Sequence, residues 1–177
     1  MTCDYLDIKN NVLSQIKKAF KGKNIFVSSH PGKFDEAEIR RLMQRTPAIL
    51  TSLMSIKDED ITDESYLEFV SWILYRASNK DRLYDGALSI VSALIGVIKN
   101  LDSPISFGGG NGIQAECLYT GSLDKINASL WAVRWKLKGR AVNSDGVIVL
   151  PDDLEWFNGY DSDLIVNNKV ADDIVNF

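Results

Sequence analysis

Residues 114–138 read QAECLYTGSLDKINASLWAVRWKLK, two alternating runs joined by a short polar turn. The second run separates apolar positions from basic positions: Trp131, Val133, Trp135 and Leu137 against Arg134, Lys136 and Lys138. Since successive side chains of a strand point to opposite faces, this pattern predicts a strand with one buried face. The first run alternates Ala115, Cys117 and Tyr119 with Gln114, Glu116 and Leu118. Together the two runs predict a β-hairpin.

The tryptophan side of this hairpin needs a cover. Burying one large side chain contributes roughly 1.5–3 kcal/mol, so we expect this face to form the floor of the core. Residues 82–100 predict the helix that covers it, because their apolar residues recur at three- and four-residue spacing. These residues are Tyr84, Ala87, Leu88, Val91, Leu94, Ile95 and Ile98. The glycine-rich residues 101–112 predict a flexible connection between that helix and the hairpin.

The first third of the chain predicts two helices and a short strand. Residues 5–20 have the pattern of an amphipathic helix that ends near Gly22. Its apolar face contains Leu6, Val12, Leu13, Ile16 and Phe20. Residues 24–28 predict a strand, and His30-Pro31-Gly32 predicts a turn. Asp35 is a suitable N-cap for a second helix, which turns Ile39, Leu42 and Met43 inward and ends before Pro47.

Two further strands are expected in the middle of the chain. Residues 48–56 have apolar side chains at both parities, which predicts a strand that is covered on both faces. Residues 58–64 (DEDITDE) predict an acidic loop. Residues 66–77 (YLEFVSWILYRA) also fit a helical period, but their aromatic and β-branched residues favour a strand.

These elements predict the order α-β-α-β-β-α-β-β and an α+β fold, a mainly antiparallel sheet with flanking helices. The length of 177 residues suits one main domain, which we expect over residues 1–142. Residues 143–177 form an acidic C-terminal arm, in which 147–150 predict one more short strand. Trp156, Phe157 and Tyr160 are the aromatic residues of this arm.

The net charge of −4 is unevenly distributed. Residues 143–177 contain eight acidic residues and one lysine, a net −7, which leaves +3 for residues 1–142. A charged segment of this kind is either a solvated tail or an arm that lies on a basic surface of a neighbouring subunit.

The start of the chain, MTCDYLDIKN, has no basic or apolar signal pattern, and no apolar run is long enough to span a bilayer. We therefore expect a cytoplasm-like compartment and no membrane partner. In that compartment Cys3 and Cys117 are expected to be free thiols. The pI near 5.0 and the absence of a large basic face argue against a specific nucleic-acid partner.

The residue patterns predict no catalytic, cofactor or metal site. Residues 107–112 (FGGGNG) lack the Gly-Lys-Ser/Thr ending of a phosphate-binding loop and precede a strand, so a linker is favoured. The carboxylates of residues 58–64 lack the spacing of a calcium loop. His30, the single histidine, is interpreted as a turn residue. An enzyme that uses His30 beside Cys117 or an aspartate remains the third alternative.

Two stretches of the hairpin, 118–124 (LYTGSLD) and 128–135 (ASLWAVRW), resemble a signature of a family of small proteins from Mu-like phages and prophages. The genes of this family lie near those of the tail sheath and tube. Residues 27–34 (VSSHPGKF), the helix over 35–45 and Thr46-Pro47-Ala48 are also similar to it. The resemblance covers roughly residues 17–138 and leaves the acidic arm unmatched.

This resemblance implies a structural protein of the virion, assembled in the cytoplasm of the host bacterium. The implied role is the tail terminator of a contractile tail, an α+β protein that forms a homo-oligomeric, hexameric ring. Such a ring caps the tail tube and sheath and offers a surface to the head–tail connector. An alternative role is a head-to-tail connector or neck adaptor that does not cap the tube.

Candidate docking elements are the glycine-rich connection, the acidic 58–64 loop and the arm. We expect the arm to pack on an adjacent protomer through its three aromatic residues, because the segment is otherwise too acidic to fold alone.

Overall fold

The structure is a computed structural model that describes residues 5–32, 36–59, 64–79, 81–102, 108–123, 126–139, 160–166 and 169–175. The chain divides into two compact units, Met1–Ser144 and Asp145–Phe177. In its described residues the first unit has a five-stranded sheet and three helices, which confirms the α+β class. Its elements are α1 (Tyr5–Ala19), β1 (Phe26–Ser29), α2 (Glu36–Met43), β2 (Ala48–Glu59), β3 (Glu64–Arg76), α3 (Asp81–Lys99), β4 (Asn111–Leu123) and β5 (Ile126–Gly139).

The strands of the sheet lie in the order β1-β2-β3-β5-β4. β1 runs parallel to β2, whereas every other neighbouring pair is antiparallel. The sheet is therefore mixed. The parallel pair follows from the position of α2 between β1 and β2, because parallel neighbours need a crossover connection.

The hairpin predicted over residues 114–138 is confirmed as β4 and β5. Cys117 is the register partner of Trp131, as a shared parity requires. The prediction that Tyr119 shares this face is wrong, since Tyr119 is the partner of Leu130. The register shifts between Cys117 and Tyr119, and such a β-bulge moves every following side chain to the other face.

One face of the sheet, here called the helix face, is covered by α1 and α3. Trp131 and Trp135 are buried there with residues of α3, so the predicted covering helix is confirmed. The residues of α3 that are buried are Leu83, Ala87, Val91, Leu94 and Ile98. Tyr84 and Leu88 were expected in this stripe, but they are 45% and 36% exposed at its flank.

α1 packs on the same face through Ile8, Val12 and Ile16, followed by Phe20. The predicted face included Leu6 and Leu13 instead of Ile8. Leu6 is 47% exposed and Leu13 is half-buried, because the stripe with four-residue spacing that begins at Ile8 is the one that meets the sheet.

The opposite face of the sheet, here called the open face, is covered at one end by α2. Leu42 and Met43 form a second apolar cluster there with Leu50, Trp72 and Leu74. Full cover of residues 48–56 on both faces was predicted, and it is wrong for the second half of the strand, where Met54 is 50% exposed. α2 has only eight residues and is too short to reach that half.

The segments between these elements differ from expectation in two places. The acidic loop is shorter than predicted, since Asp58 and Glu59 belong to β2 and Glu64 to β3. The glycine-rich connection is not simply flexible, because the N–H of Gly110 donates to the carbonyl of Ile98 at 2.8 Å. Gly110 is buried, and its N–H satisfies a carbonyl in the last turn of α3. Residues 60–63 and 103–107 lie outside the described residues. Residues 66–77 fall mainly in β3, so the strand interpretation is confirmed over the helical one.

The second unit contains an antiparallel pair of strands, β6 (Tyr160–Val166) and β7 (Lys169–Val175). We expected no regular structure in this part of the arm. The strand predicted over residues 147–150 lies outside the described residues, as do Trp156 and Phe157, while Tyr160 begins β6. Asp163 and Asp172 are register partners in this hairpin.

Candidate assembly surface

The single histidine has a structural position in the turn after β1. Its Nδ1 accepts a hydrogen bond from the N–H of Gly32 at 3.1 Å, which leaves the proton on Nε2. Nε2 donates to Glu38 Oε1 at 3.3 Å. The ring also meets the edge of Trp72, with 6.0 Å between ring centroids. His30 is therefore the turn residue that the sequence predicts, and it ties the turn to α2 and to the open face.

Glu38 is held as a carboxylate at this point. Arg41 donates to it twice, from Nε at 2.9 Å and from a terminal nitrogen at 2.6 Å. These bonds, together with the bond from His30, lower the pKa of Glu38 to about 2. Glu38 therefore remains a carboxylate at neutral pH, and its bond with His30 links α2 to the turn after β1.

The structure does not bring Cys117 to His30. Cys117 is exposed on β4, where its Sγ lies 3.2 Å from Thr120 Oγ1. Within the residues that the structure describes, no three histidine, cysteine, aspartate or glutamate side chains are grouped to hold a metal ion. None of the helices in that part of the chain has the length and apolarity to cross a bilayer.

A groove of about 520 Å³ lies on the open face beyond α2. Its walls and floor combine apolar and charged residues of β2, β3, β4 and β5. They include Met54, Glu68, Val70, Leu118, Arg134 and Lys136. We call these residues the basic groove, because two cations face one carboxylate within it, and Lys57 adds a third cation at its rim.

Glu68 organises the charges of the basic groove. Lys136 Nζ lies 3.0 Å from Glu68 Oε1, and Ser55 Oγ donates to Oε2 at 3.0 Å. The more distant Lys57 Nζ lies at 3.9 Å. Lys136 and then Ser55 are the main causes that lower the pKa of Glu68 below its ordinary value.

A pH titration of stability tests this arrangement. Because the pKa of Glu68 is lower in the folded state, its carboxylate stabilises the fold above the ordinary pKa of 4.5. That contribution is lost as the pH falls through the lowered value. We expect Glu68→Gln to destabilise the protein at neutral pH and to match the wild type in strong acid. Urea midpoints at several pH values measure this, and Lys136→Gln should reduce the difference. A Glu68→Gln effect that is constant down to strong acid would contradict it.

Arg134 is the charged group of the groove that remains available. It is exposed on β5 between its register partners Val70 of β3 and Gln114 of β4. Among the described residues its side chain has no hydrogen bond and no ion pair. The guanidinium therefore faces the groove with all its donors open to a partner.

β4 forms the outer edge of the sheet. In the described part of the chain it pairs only with β5. Its thirteen residues include one charged residue, Glu116, and no proline. Its side chains are exposed from Gln114 to Thr120. A long edge strand with few charges is a ready template for a strand of another chain, and two register shifts in β4 limit this pairing.

Sequence reasoning missed the basic groove. The shared parity of Arg134 and Lys136 was visible, but it was used only to predict a strand with one buried face. Glu68 meets Lys136 only through the register of β3 with β5, which the sequence does not show. The predicted docking elements are placed only in part, since residues 60–63 and 103–107 are not described.

No protein-family model matches this chain, and no curated protein matches it significantly.

Proposed function

We propose that this protein is a structural tail terminator of a contractile, phage-type tail. In this proposal copies of the chain form a closed, hexameric ring in the virion. The ring caps the tail tube and sheath when they reach full length and offers its other side to the head–tail connector.

The observation that carries the proposal is the position of the residues that resemble the Mu-like tail family. The first stretch, LYTGSLD, falls mostly in β4, and the second, ASLWAVRW, falls in β5. They build the edge of the sheet and the tryptophan floor of the helix face. The residues that carry the resemblance therefore lie in the β4–β5 hairpin, which is packed by helices on one face and exposed along the edge of β4.

The physical demands of a capping ring agree with this arrangement. A ring needs no catalytic group, but it needs a subunit that keeps its shape and two different surfaces that meet on rotation. The sheet is packed by α1 and α3 on one face and by α2 on part of the other. The edge of β4 and the basic groove are adjoining exposed surfaces of that sheet, and Leu118 belongs to both.

Assembly of tail tubes in vitro tests the proposal. Tube and sheath subunits of the same particle are polymerised with and without the full-length protein, and lengths are measured by electron microscopy. A terminator should shorten the tubes in a dose-dependent way and be found at one end. Unchanged tube lengths, with binding to the head–tail connector instead, would overturn it in favour of the adaptor.

A variant that blocks the β4 edge tests whether the ring closes through this edge, and a charge reversal elsewhere is its control. Replacing the exposed Tyr119 with lysine places a charge on the edge strand and opposes pairing with another strand. If the ring closes through this edge, the variant should lose its effect on tube length. The charge reversal Arg82→Glu on the surface of α3 should keep it.

A further inference from the structure

The basic groove contains one cation, Arg134, whose side chain is available to bind an anionic partner. Lys57 and Lys136 both form ion pairs with Glu68, whereas Arg134 forms no ion pair among the described residues. The guanidinium is a planar fork that binds carboxylates through two parallel hydrogen bonds. A carboxylate of another segment is therefore the ligand that fits Arg134.

The groove also contains exposed apolar surface on both sides of this cation. Met54 of β2 is 50% exposed, and Leu118 of β4 is 47% exposed. Both are residues at which the register of their strand shifts, so neither follows the regular alternation of the sheet. A partner segment should therefore combine carboxylates with aliphatic side chains.

The hairpin of β6 and β7 has this composition. Its strands read YDSDLIV and KVADDIV, in which Asp163 and Asp173 are each followed directly by aliphatic residues. Together the two strands contain four aspartates and one lysine, a net −3. The basic groove with Lys57 has three cations and one carboxylate, a net +2.

Two features of the isolated hairpin favour its binding to another surface. A two-stranded hairpin is at best marginally stable in water. Asp163 stands opposite Asp172 in its register, and like charges at directly opposite positions are unfavourable. A cation placed beside this pair would remove the repulsion.

We infer that the basic groove of one copy of this chain binds the acidic β6–β7 hairpin of a second copy. Arg134 binds the Asp163 and Asp172 carboxylates, and Met54 and Leu118 contact the aliphatic residues of the hairpin. The inference rests on the ring proposed above and names its contact. Because groove and hairpin are different surfaces, the contact is heterologous and can close into a ring.

Charge reversal in the full-length protein tests the contact. One variant is Arg134→Glu, and the other combines Asp163→Arg with Asp172→Arg. Each should raise the protein concentration needed for association about tenfold or more, measured by sedimentation velocity. An equimolar mixture should recover association, because each altered groove then meets an altered hairpin and each native groove meets a native one.

Recovery in the mixture separates this contact from a general loss of stability or a change of net charge. Arg82→Glu is the matched control, since Arg82 is exposed in the first turn of α3, where an acidic residue suits the helix dipole. It makes the same change in net charge and should associate like the wild type. Far-UV circular dichroism and urea midpoints should be unchanged in all variants, because surface substitutions usually have small effects on stability.

Three outcomes would overturn the inference. If the wild type assembles and Arg134→Glu assembles equally well, the groove is not the contact, although the ring stands. If both reversals weaken association and their mixture does not recover it, the hairpin is not the occupant. If the wild type remains monomeric at every concentration, the inference fails together with the ring on which it rests.

Discussion

Replacing Trp135 with alanine should lower the free energy of unfolding by about 3–5 kcal/mol. The indole is 1% exposed and stacks on Phe69, with 4.5 Å between ring centroids. Its Nε1 donates to Ser71 Oγ at 3.3 Å, and Ser71 is also bonded to Thr51. Alanine would leave a large cavity at the centre of the helix face and remove one bond from a buried hydroxyl. Urea denaturation followed by circular dichroism measures the loss.

The control for this substitution is Leu118→Ala on the neighbouring strand. Leu118 is 47% exposed, so its truncation should change the free energy of unfolding by no more than about 0.5 kcal/mol. If Trp135→Ala were as mild as Leu118→Ala, the tryptophan floor would not be the core of the domain.

Replacing Gly110 with alanine should destabilise the protein by about 1–3 kcal/mol, the usual cost of overpacking. A Cβ at this position would meet the side chain of Ile98 and come within 2.9 Å of Trp135 Cε3. The backbone cannot easily move away, because the N–H of Gly110 is bonded to the carbonyl of Ile98 at 2.8 Å. The same denaturation experiment measures the effect.

Gly96→Ala provides a control of opposite sign. Gly96 lies within α3, and a Cβ added there would meet nothing within 4 Å. Alanine has the higher helix propensity, so this change should stabilise the protein by about 0.5–1 kcal/mol. A Gly110→Ala variant that is as stable as the wild type would contradict the close packing of Gly110 against Ile98 and Trp135.

The elements of the first unit were predictable because their signals are local. The alternation around Trp131 and Trp135 is complete within one strand, and the three- and four-residue spacing from Ala87 to Ile98 is complete within one helix. It was harder to predict which face of each helix is buried. A helical stripe shows which residues are apolar, while the neighbouring elements decide whether Leu83 or Tyr84 is buried.

The basic groove was not predictable, because the residues that form it come from distant parts of the sequence and no local pattern shows their pairing. It depends on pairings between strands that are distant in sequence, such as Glu68 with Lys136. It also depends on the register shifts near Met54 and Leu118, which insert a residue without changing the local composition. The hairpin of β6 and β7 was missed because its aspartates are typical of a solvated segment.

Electron cryomicroscopy of assembled contractile particles that contain this chain would test its role in the tail most directly. We expect density for a closed ring of this fold at the head-proximal end of the tail tube, in contact with the last layer of tube and sheath subunits. Intact particles that lack the chain, or that carry it at any other position, would contradict its role as the terminator of the tail.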